Sequence, residues 1–441
     1  MRALLPLALA GCVDPIFHAR AEVDPEVGTM LDVSWEPLGD GEAWVEFGPD
    51  EGLGLTTPAV PDGDARSRAL LVGNKPFAEV HWRVVARQHG EKVVGPTHLD
   101  RVEDIDAALP DTWLQDDDGT FDGYVFGVSW SLRTYLFALD RDAEVVWYRA
   151  LPLGRATLSL ELVPGLAAVR YLDVSMDHAL DDSHVITEGF DGTVLADVPV
   201  EQGHHSFQVL PDGTLAWVAI DVREDPAWGP LVGDRVLTRG PTGEVRTLWS
   251  AWDHFTYDPA TTYHTDFYPQ GTDWTHANTL IYDAARDTLW LTLGGIDQLV
   301  AIDAESGEQL LQVGLGGLQI TPSLAGYGYG YGPHGASRTP TGSLLVFDNH
   351  AAEGVDASRV LELRLDPRAG TAPVVWELEG QPGWSSMILG AAERLPSGET
   401  FVQWGDAGVL QMLDPAHRQT WLAYVDGIIS DAAPVRDPYG R

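Results

Sequence analysis

Leu210-Pro211-Asp212-Gly213-Thr214-Leu215, Thr339-Pro340-Thr341-Gly342-Ser343-Leu344 and Leu395-Pro396-Ser397-Gly398-Glu399-Thr400 are one phrase written three times. Each sets a Gly-bearing polar turn between two apolar stretches, the pattern of a tight hairpin. Gly342 and Gly398 lie 56 residues apart, and Asp287, in a related turn, lies 55 before Gly342. A second phrase takes an apolar strand through a polar turn and back. It runs from Leu136-Phe137-Ala138-Leu139-Asp140 to Val145-Val146-Trp147, and from Leu299-Val300-Ala301-Ile302-Asp303 to Leu310-Leu311. Val360-Leu361-Glu362-Leu363 leading to Val374-Val375-Trp376 is a third copy. A β-rich repeat of this length is a propeller blade rather than a solenoid rung. About 315 residues at roughly 55 per repeat give six blades. The spacing predicts a six-bladed β-propeller over 107–428, with 429–441 as a C-terminal tail. From Gly213 to Asp287 the gap is 74, so an insertion of about 19 residues is expected within 223–272. It would hold Trp228, Trp252, His254, Tyr257, Tyr263 and His264 in a loop over one face.

Upstream, Leu31-Asp32-Val33-Ser34-Trp35 and Ala43-Trp44-Val45-Glu46-Phe47 alternate apolar with polar residues, as do 80–86. Short strands punctuated by Gly48-Pro49-Asp50 and Pro61-Asp62-Gly63 predict a small antiparallel sandwich over 25–106. This segment resembles a fibronectin type III-like module. The chain is therefore expected to be all-β.

Composition narrows the function. Asp and Glu total 66 against 27 Lys and Arg, a net charge of −39. That balance excludes nucleic-acid binding, which needs cations to displace phosphate counterions, and adhesion to anionic lipid through a basic patch. With one cysteine, neither an intrachain disulfide nor a Cys-based metal cluster can form. Arg2, the apolar run 3–10 and Gly11-Cys12 read as a secretory signal over 1–11. Leu9-Ala10-Gly11-Cys12 resembles a bacterial lipobox, which implies lipidation at Cys12 and a tether over 12–24. The expectation is an exported lipoprotein, periplasmic or anchored to the outer membrane, meeting the membrane only through that anchor.

The histidines cluster in phase with the repeat. His204-His205 precedes one hairpin, His276 with Asn278 the next, and His334 a third. Equivalent positions of successive blades converge on the propeller axis, so these side chains are expected around the channel mouth. Three imidazoles could also hold a transition metal. Just ahead of His334, Tyr327-Gly328-Tyr329-Gly330-Tyr331-Gly332 offers rings that could stack on an aromatic ligand, or else forms a mobile surface loop.

Asp273-Trp274-Thr275-His276-Ala277-Asn278 resembles the Asp-Trp-x-His-x-Asn signature of bacterial arylsulfate sulfotransferases. Tyr331-Gly332-Pro333-His334 through Leu345-Val346-Phe347-Asp348-Asn349 is similar to the block that carries their catalytic histidine, and His204-His205-Ser206-Phe207 to their first histidine block. The resemblance implies sulfuryl transfer from an aryl sulfate to a phenol, ping-pong, with no nucleotide donor and no cofactor. It implies His334 as nucleophile through a sulfohistidine, His205 or His276 as proton donor, and Asn278 as hydrogen-bond donor to the sulfuryl group. His204, Trp274, Tyr329 and Tyr331 are expected to line the substrate. Two positions depart from the family pattern: Gly294 stands where an arginine is expected, and Gly335 where an Asp follows the histidine. Arg338 and Arg133 are the possible replacements, Arg338 being expected on a strand and facing solvent. These departures keep two other readings open, a non-catalytic propeller that binds aryl or sulfated ligands and a His-rich metal-binding propeller.

Overall fold

The computed structural model of the chain describes residues 16–63, 66–105, 108–177, 180–262, 267–322, 332–349 and 357–440. Among them every regular element is a β-strand or a single 3-10 turn. Cys12, Tyr263, His264, Tyr329 and Tyr331 lie outside the described residues.

The N-terminal segment forms two antiparallel sheets. One orders Arg20–Val23, Leu31–Trp35 and Ser67–Leu71; the other is built on Gly41–Gly48 and Glu79–Gln88, with Glu91–Val94 and His98–Arg101 beside the latter. The alternation read in the sequence becomes a buried face: Val33, Trp35, Val45, Phe47, Trp82 and Val84 meet in one core.

The described residues of 112–435 form six further sheets, antiparallel except that Thr272–Asp273 runs parallel to Gly229–Arg239 and Gln319–Thr321 parallel to Thr371–Glu379. The first orders Ile428–Val435, Tyr124–Trp130, Thr134–Leu139 and Val145–Ala150. The second contains Leu160–Leu162, Ala168–Ser175, His184–Gly189 and Val194–Pro199. The third runs Gly203–Val209, Leu215–Asp225, Gly229–Arg239, Val245–Ser250, and the fourth Ala277–Asp283, Thr288–Leu293, Gln298–Asp303, Gln309–Val313. The fifth runs Pro333–Arg338, Leu344–Asp348, Arg359–Leu363, Thr371–Glu379. In the sixth, Ala391–Arg394, Thr400–Gln403, Val409–Leu413 and Gln419–Val425 are joined at the edge by Thr112–Asp117.

The repeated phrase is the turn between the first two strands of the third to sixth sheets. Gly213, Gly342 and Gly398 have φ of +86°, +90° and +94°, and Asp287 fills the same role at +52°. The left-handed region is open to glycine and, at lower cost than for most side chains, to Asp. The first strands of neighbouring sheets touch in sequence: Gly203–Val209 lies against Ala277–Asp283, that against Pro333–Arg338, and that against Ala391–Arg394. Thr400–Gln403 meets Ile428–Val435, and Tyr124–Trp130 meets Leu160–Leu162. First strands of all six sheets line one channel of about 420 Å³, with Leu160, Phe207, Leu280, Ala336, Ala391 and Asp431 among its walls.

Two sequence expectations are corrected. The stretch expected to be a tail from 429 supplies strand Ile428–Val435, which pairs with Tyr124–Trp130 and so ties the end of the chain into the first sheet. Tyr439 is fully buried; its hydroxyl donates to the Leu70 carbonyl at 2.7 Å and accepts from the Val72 N–H at 3.3 Å. The insertion in 223–272 is not a single loop. Its extra residues lengthen the hairpin of Leu215–Asp225 and Gly229–Arg239 to 11 residues per strand, and among the described residues that follow are the 3-10 turn Ala251–Asp253 and the short strand Thr272–Asp273.

Candidate active site

The first strands of the third, fourth and fifth sheets each lose register near their start. Pairing jumps between Gly203 and Phe207, between Ala277 and Leu280, and between Pro333 and Ala336. Such bulges re-aim side chains and gather at functional sites. Ala277 and Pro333 are the last paired residues before their bulges, so Asn278 and His334 occupy equivalent positions and His276 lies two residues ahead. His205 and His276 have φ of +56° and +45°, a strained conformation for a residue with a Cβ.

These distortions bring His204, His205, His276 and His334 to the wall of one cavity of about 220 Å³. The rest of the wall is mostly apolar, including Trp130, Leu158, Val174, Phe267, Ile388 and Leu389. An apolar cavity of about 150 Å³ holds a benzene ring, so this one has room for a ring and a substituent. Leu158, His205, His334 and Leu389 belong to both this cavity and the channel, so the histidines stand at the channel's end.

Two carboxylates buried behind the histidines orient them. Asp234, on Gly229–Arg239, meets His204 Nε2 at 3.0 Å and accepts from Thr275 Oγ1 at 2.6 Å and from the Ala277 N–H at 2.7 Å. Burial works to raise its pKa, but these donors hold it below the usual carboxylate value. His204 Nδ1 in turn lies 2.8 Å from His205 Nδ1, completing an Asp234–His204–His205 chain. Asp273, on Thr272–Asp273 beside Gly229–Arg239, meets His276 Nδ1 at 2.5 Å. Burial opposes a charge on His276, yet Asp273 and, beyond it, Asp234 lift its pKa above the ordinary histidine value. The contact places the proton on Nδ1, so in the neutral ring Nε2 carries a lone pair and in the cation an N–H.

His334 is held differently. Its Nδ1 accepts from the Leu389 N–H at 3.2 Å, so the neutral ring as placed bears its proton on Nε2. Asn278 Nδ2 donates to the Pro333 carbonyl at 3.3 Å, and its Oδ1 is buried without a partner. Gly294 adjoins both, and a Cβ there would come within 2.6 Å of Asn278 Nδ2. The Asn278 amide thus fills the room into which a side chain at 294 would point. Gly335 is packed against Ala391, which a Cβ would meet at 2.4 Å.

Trp274 does not line the cavity, a correction to the sequence expectation. It is fully buried behind the site, 5.0 Å from the Trp252 ring and 6.3 Å from Tyr257, and its role there is packing. Arg338 does not face solvent: its side chain is 12% exposed, lies 3.2 Å from Asp283 and stacks over Trp290 along the channel wall. Arg133 is bound to the Leu151 carbonyl. Among the described residues no three His, Cys, Asp or Glu side chains are grouped to hold a metal. Sequence reasoning missed Asp234, Phe267 and Tyr268. The Tyr268 hydroxyl lies 3.5 Å from His205 Nδ1, and the Phe267 ring is 4.8 Å from that of His276. Asp273 was legible only as a motif letter three residues before His276.

No curated protein matches the chain. Among solved structures it is similar to a protein of unknown function from Bacteroides caccae, at 14% identity and a TM-score of 0.46, covering 72% of this chain and all of the other. It is also similar to a catalytically inactive virginiamycin B lyase from Staphylococcus aureus with quinupristin, at 11% identity and 0.39, covering 72% and 89%. A chain of a nidogen/laminin complex matches at 12% identity and 0.41, covering 72% and 100%. Likenesses at these TM-scores do not bear on activity. The family model Arylsulfotransferase (ASST) matches residues 112–426, which take in every strand of the six sheets but Ile428–Val435 and every histidine of the cavity. The chain belongs to the arylsulfotransferase (ASST) family.

Proposed function

We propose that this chain moves a sulfuryl group from an aryl sulfate to a phenol inside the histidine cavity, without a nucleotide donor. Family membership supports a sulfotransferase-type enzyme. The observation that carries the finer reading is four histidines, two of them backed by carboxylates, on one apolar cavity of ring size. The six sheets are read as the blades of a six-bladed propeller over 112–435, and the two N-terminal sheets as a fibronectin type III-like sandwich from Arg20 to Arg101, the strand Arg20–Val23 and the buried Phe17 taking residues expected in the tether over 12–24. Cys12 is the proposed lipid anchor of an exported protein.

In the first half-reaction His334 attacks sulfur, forming an N–S bond as the S–O bond to the aryl group breaks. The departing phenolate is a poor leaving group unless protonated, its conjugate acid having a pKa of about 10. His276, with Asp273 behind it, delivers that proton from Nε2, while His205 belongs to the proton-handling set through His204 and Asp234. In the second half-reaction an acceptor phenol gives its proton to His276 and takes the sulfuryl group from His334. Attack through Nε2 of His334 requires the other neutral tautomer, its proton passing from Nε2 to Nδ1 by way of solvent; Nδ1 then no longer accepts from the Leu389 N–H, and a half-turn about Cβ–Cγ separates the two. A binding protein for aryl sulfates is the second reading, favoured by the glycine at 294, where no side chain reaches the cavity.

Steady-state release of 4-nitrophenolate from 4-nitrophenyl sulfate tests the proposal. Release that depends on added phenol and vanishes in His334→Ala is expected. A folded protein that releases nothing with any phenol tried would turn the assignment to the binding reading.

A further inference from the structure

An aryl sulfate carries a full negative charge, and burying it in an apolar cavity is costly unless a positive charge or several donors meet it. Among the described residues no Lys or Arg lines the histidine cavity or the small recess beside Gly294. The internal segments outside the described residues contain neither Lys nor Arg. Arg338, on the adjoining channel wall, is paired with Asp283, which leaves the histidines as the source of positive charge at the cavity itself. We infer that it is the His276 imidazolium, held by Asp273, and that anion recognition in this chain is consequently switched by pH. This rests on the aryl-sulfate reading above.

The neighbours of His276 decide whether it can carry the charge. Asp273 touches its Nδ1 at 2.5 Å, and Asp234 lies behind on the adjacent strand of the third sheet. His205 faces it with ring centroids 5.1 Å apart, and its protonation would oppose a second cation there. His204 is tied to Asp234, Tyr268 stands 6.3 Å away, and His334 lies across the cavity from the fifth sheet. Asp273 and Asp234 favour the cation, the direction in which the His276 pKa is displaced; burial meanwhile raises the pKa of Asp273, and the charge and hydrogen bond of His276 work against that rise. Asp273 is thus a positioning residue: it fixes the tautomer of His276 and supplies the charge that keeps Nε2 protonated. Once His276 loses its proton, the carboxylate behind it repels the anion instead. An arginine would show no such dependence between pH 6 and 9, because it stays charged throughout.

The test is calorimetric titration of the intact chain with phenyl sulfate from pH 5.5 to 9. Affinity is expected to hold at low pH and then fall about tenfold per pH unit above a single midpoint. In Asp273→Asn the midpoint should move down by about one pH unit or more, and Asp273→Glu should restore it. A midpoint unmoved in Asp273→Asn would overturn the role of Asp273. Equal affinity at pH 6 and pH 9 in the unmodified chain would overturn the imidazolium assignment and leave the aryl-sulfate reading standing. No binding at any pH would overturn that reading and the inference with it. The unmodified chain's profile is decisive even where a variant fails to fold.

Discussion

Asp234 and Asp431 are the same side chain, both withdrawn from bulk water in the one ring of sheets, and they are displaced in opposite directions. Asp234, behind the histidine cavity, takes hydrogen bonds from His204, Thr275 and Ala277 and is held below the ordinary carboxylate pKa. Asp431, on the channel wall, is pushed up to about 7 by burial; it accepts from the Leu160 N–H at 2.7 Å, and Glu393 beside it repels its charge. Glu393 is itself raised by desolvation in the channel. Burial therefore does not decide whether a carboxyl is charged; the donors around it do. Asp234 keeps its negative charge and steers His204, whereas Asp273, buried with a single donor at His276, is raised as Asp431 and Glu393 on the channel wall are.

The contrast is broken most severely by Asp234→Ala. Removing it leaves His204, Thr275 Oγ1 and the Ala277 N–H without their acceptor in a buried site, which costs about 3–5 kcal/mol. Denaturant unfolding should show that loss, and a cost under about 1 kcal/mol would mean the site does not depend on this carboxylate. Asp431→Asn should act the other way. A carboxyl with a raised folded pKa contributes stability that is present below its unfolded pKa and lost as pH rises towards 7. The variant lacks that loss, so its stability relative to the parent should improve by about 2–3 kcal/mol between pH 5 and pH 8.5. A difference that stays flat with pH would contradict a protonated Asp431. Thr275→Val is the mildest change. It deletes one donor to Asp234 at a cost of about 1 kcal/mol, and the Asp234 carboxyl should titrate at higher pH by NMR.

The ring was legible because its turns are chemically marked. Gly213, Gly342 and Gly398 announce the same left-handed turn, and the period between them sets the length of each sheet. Its closure was not. Ile428–Val435 has no repeat phrase of its own, since it completes a sheet that begins some 300 residues earlier, and only pairing with Tyr124–Trp130 reveals it. The histidines were found from their phase, although the bulges place Asn278, not His276, opposite the position of His334. Asp234 could not be found that way. It lies mid-strand in Gly229–Arg239, 30 residues from His204, and nothing local distinguishes it from any strand Asp. Trp274 misled for the converse reason: it is a motif letter, but it lies in the short link between Thr272–Asp273 and Ala277–Asp283 and packs into the Trp252 and Tyr257 cluster.

The central claim is that sulfuryl transfer passes through a histidine of this cavity. Peptide mass mapping after incubating the chain with 4-nitrophenyl sulfate, without a phenol, tests it most directly. A single sulfuryl adduct on the peptide bearing His334, discharged when phenol is added, is the expected result. An adduct on His205 or His276 would contradict the assignment of the nucleophile, and turnover without any adduct would contradict the covalent route itself.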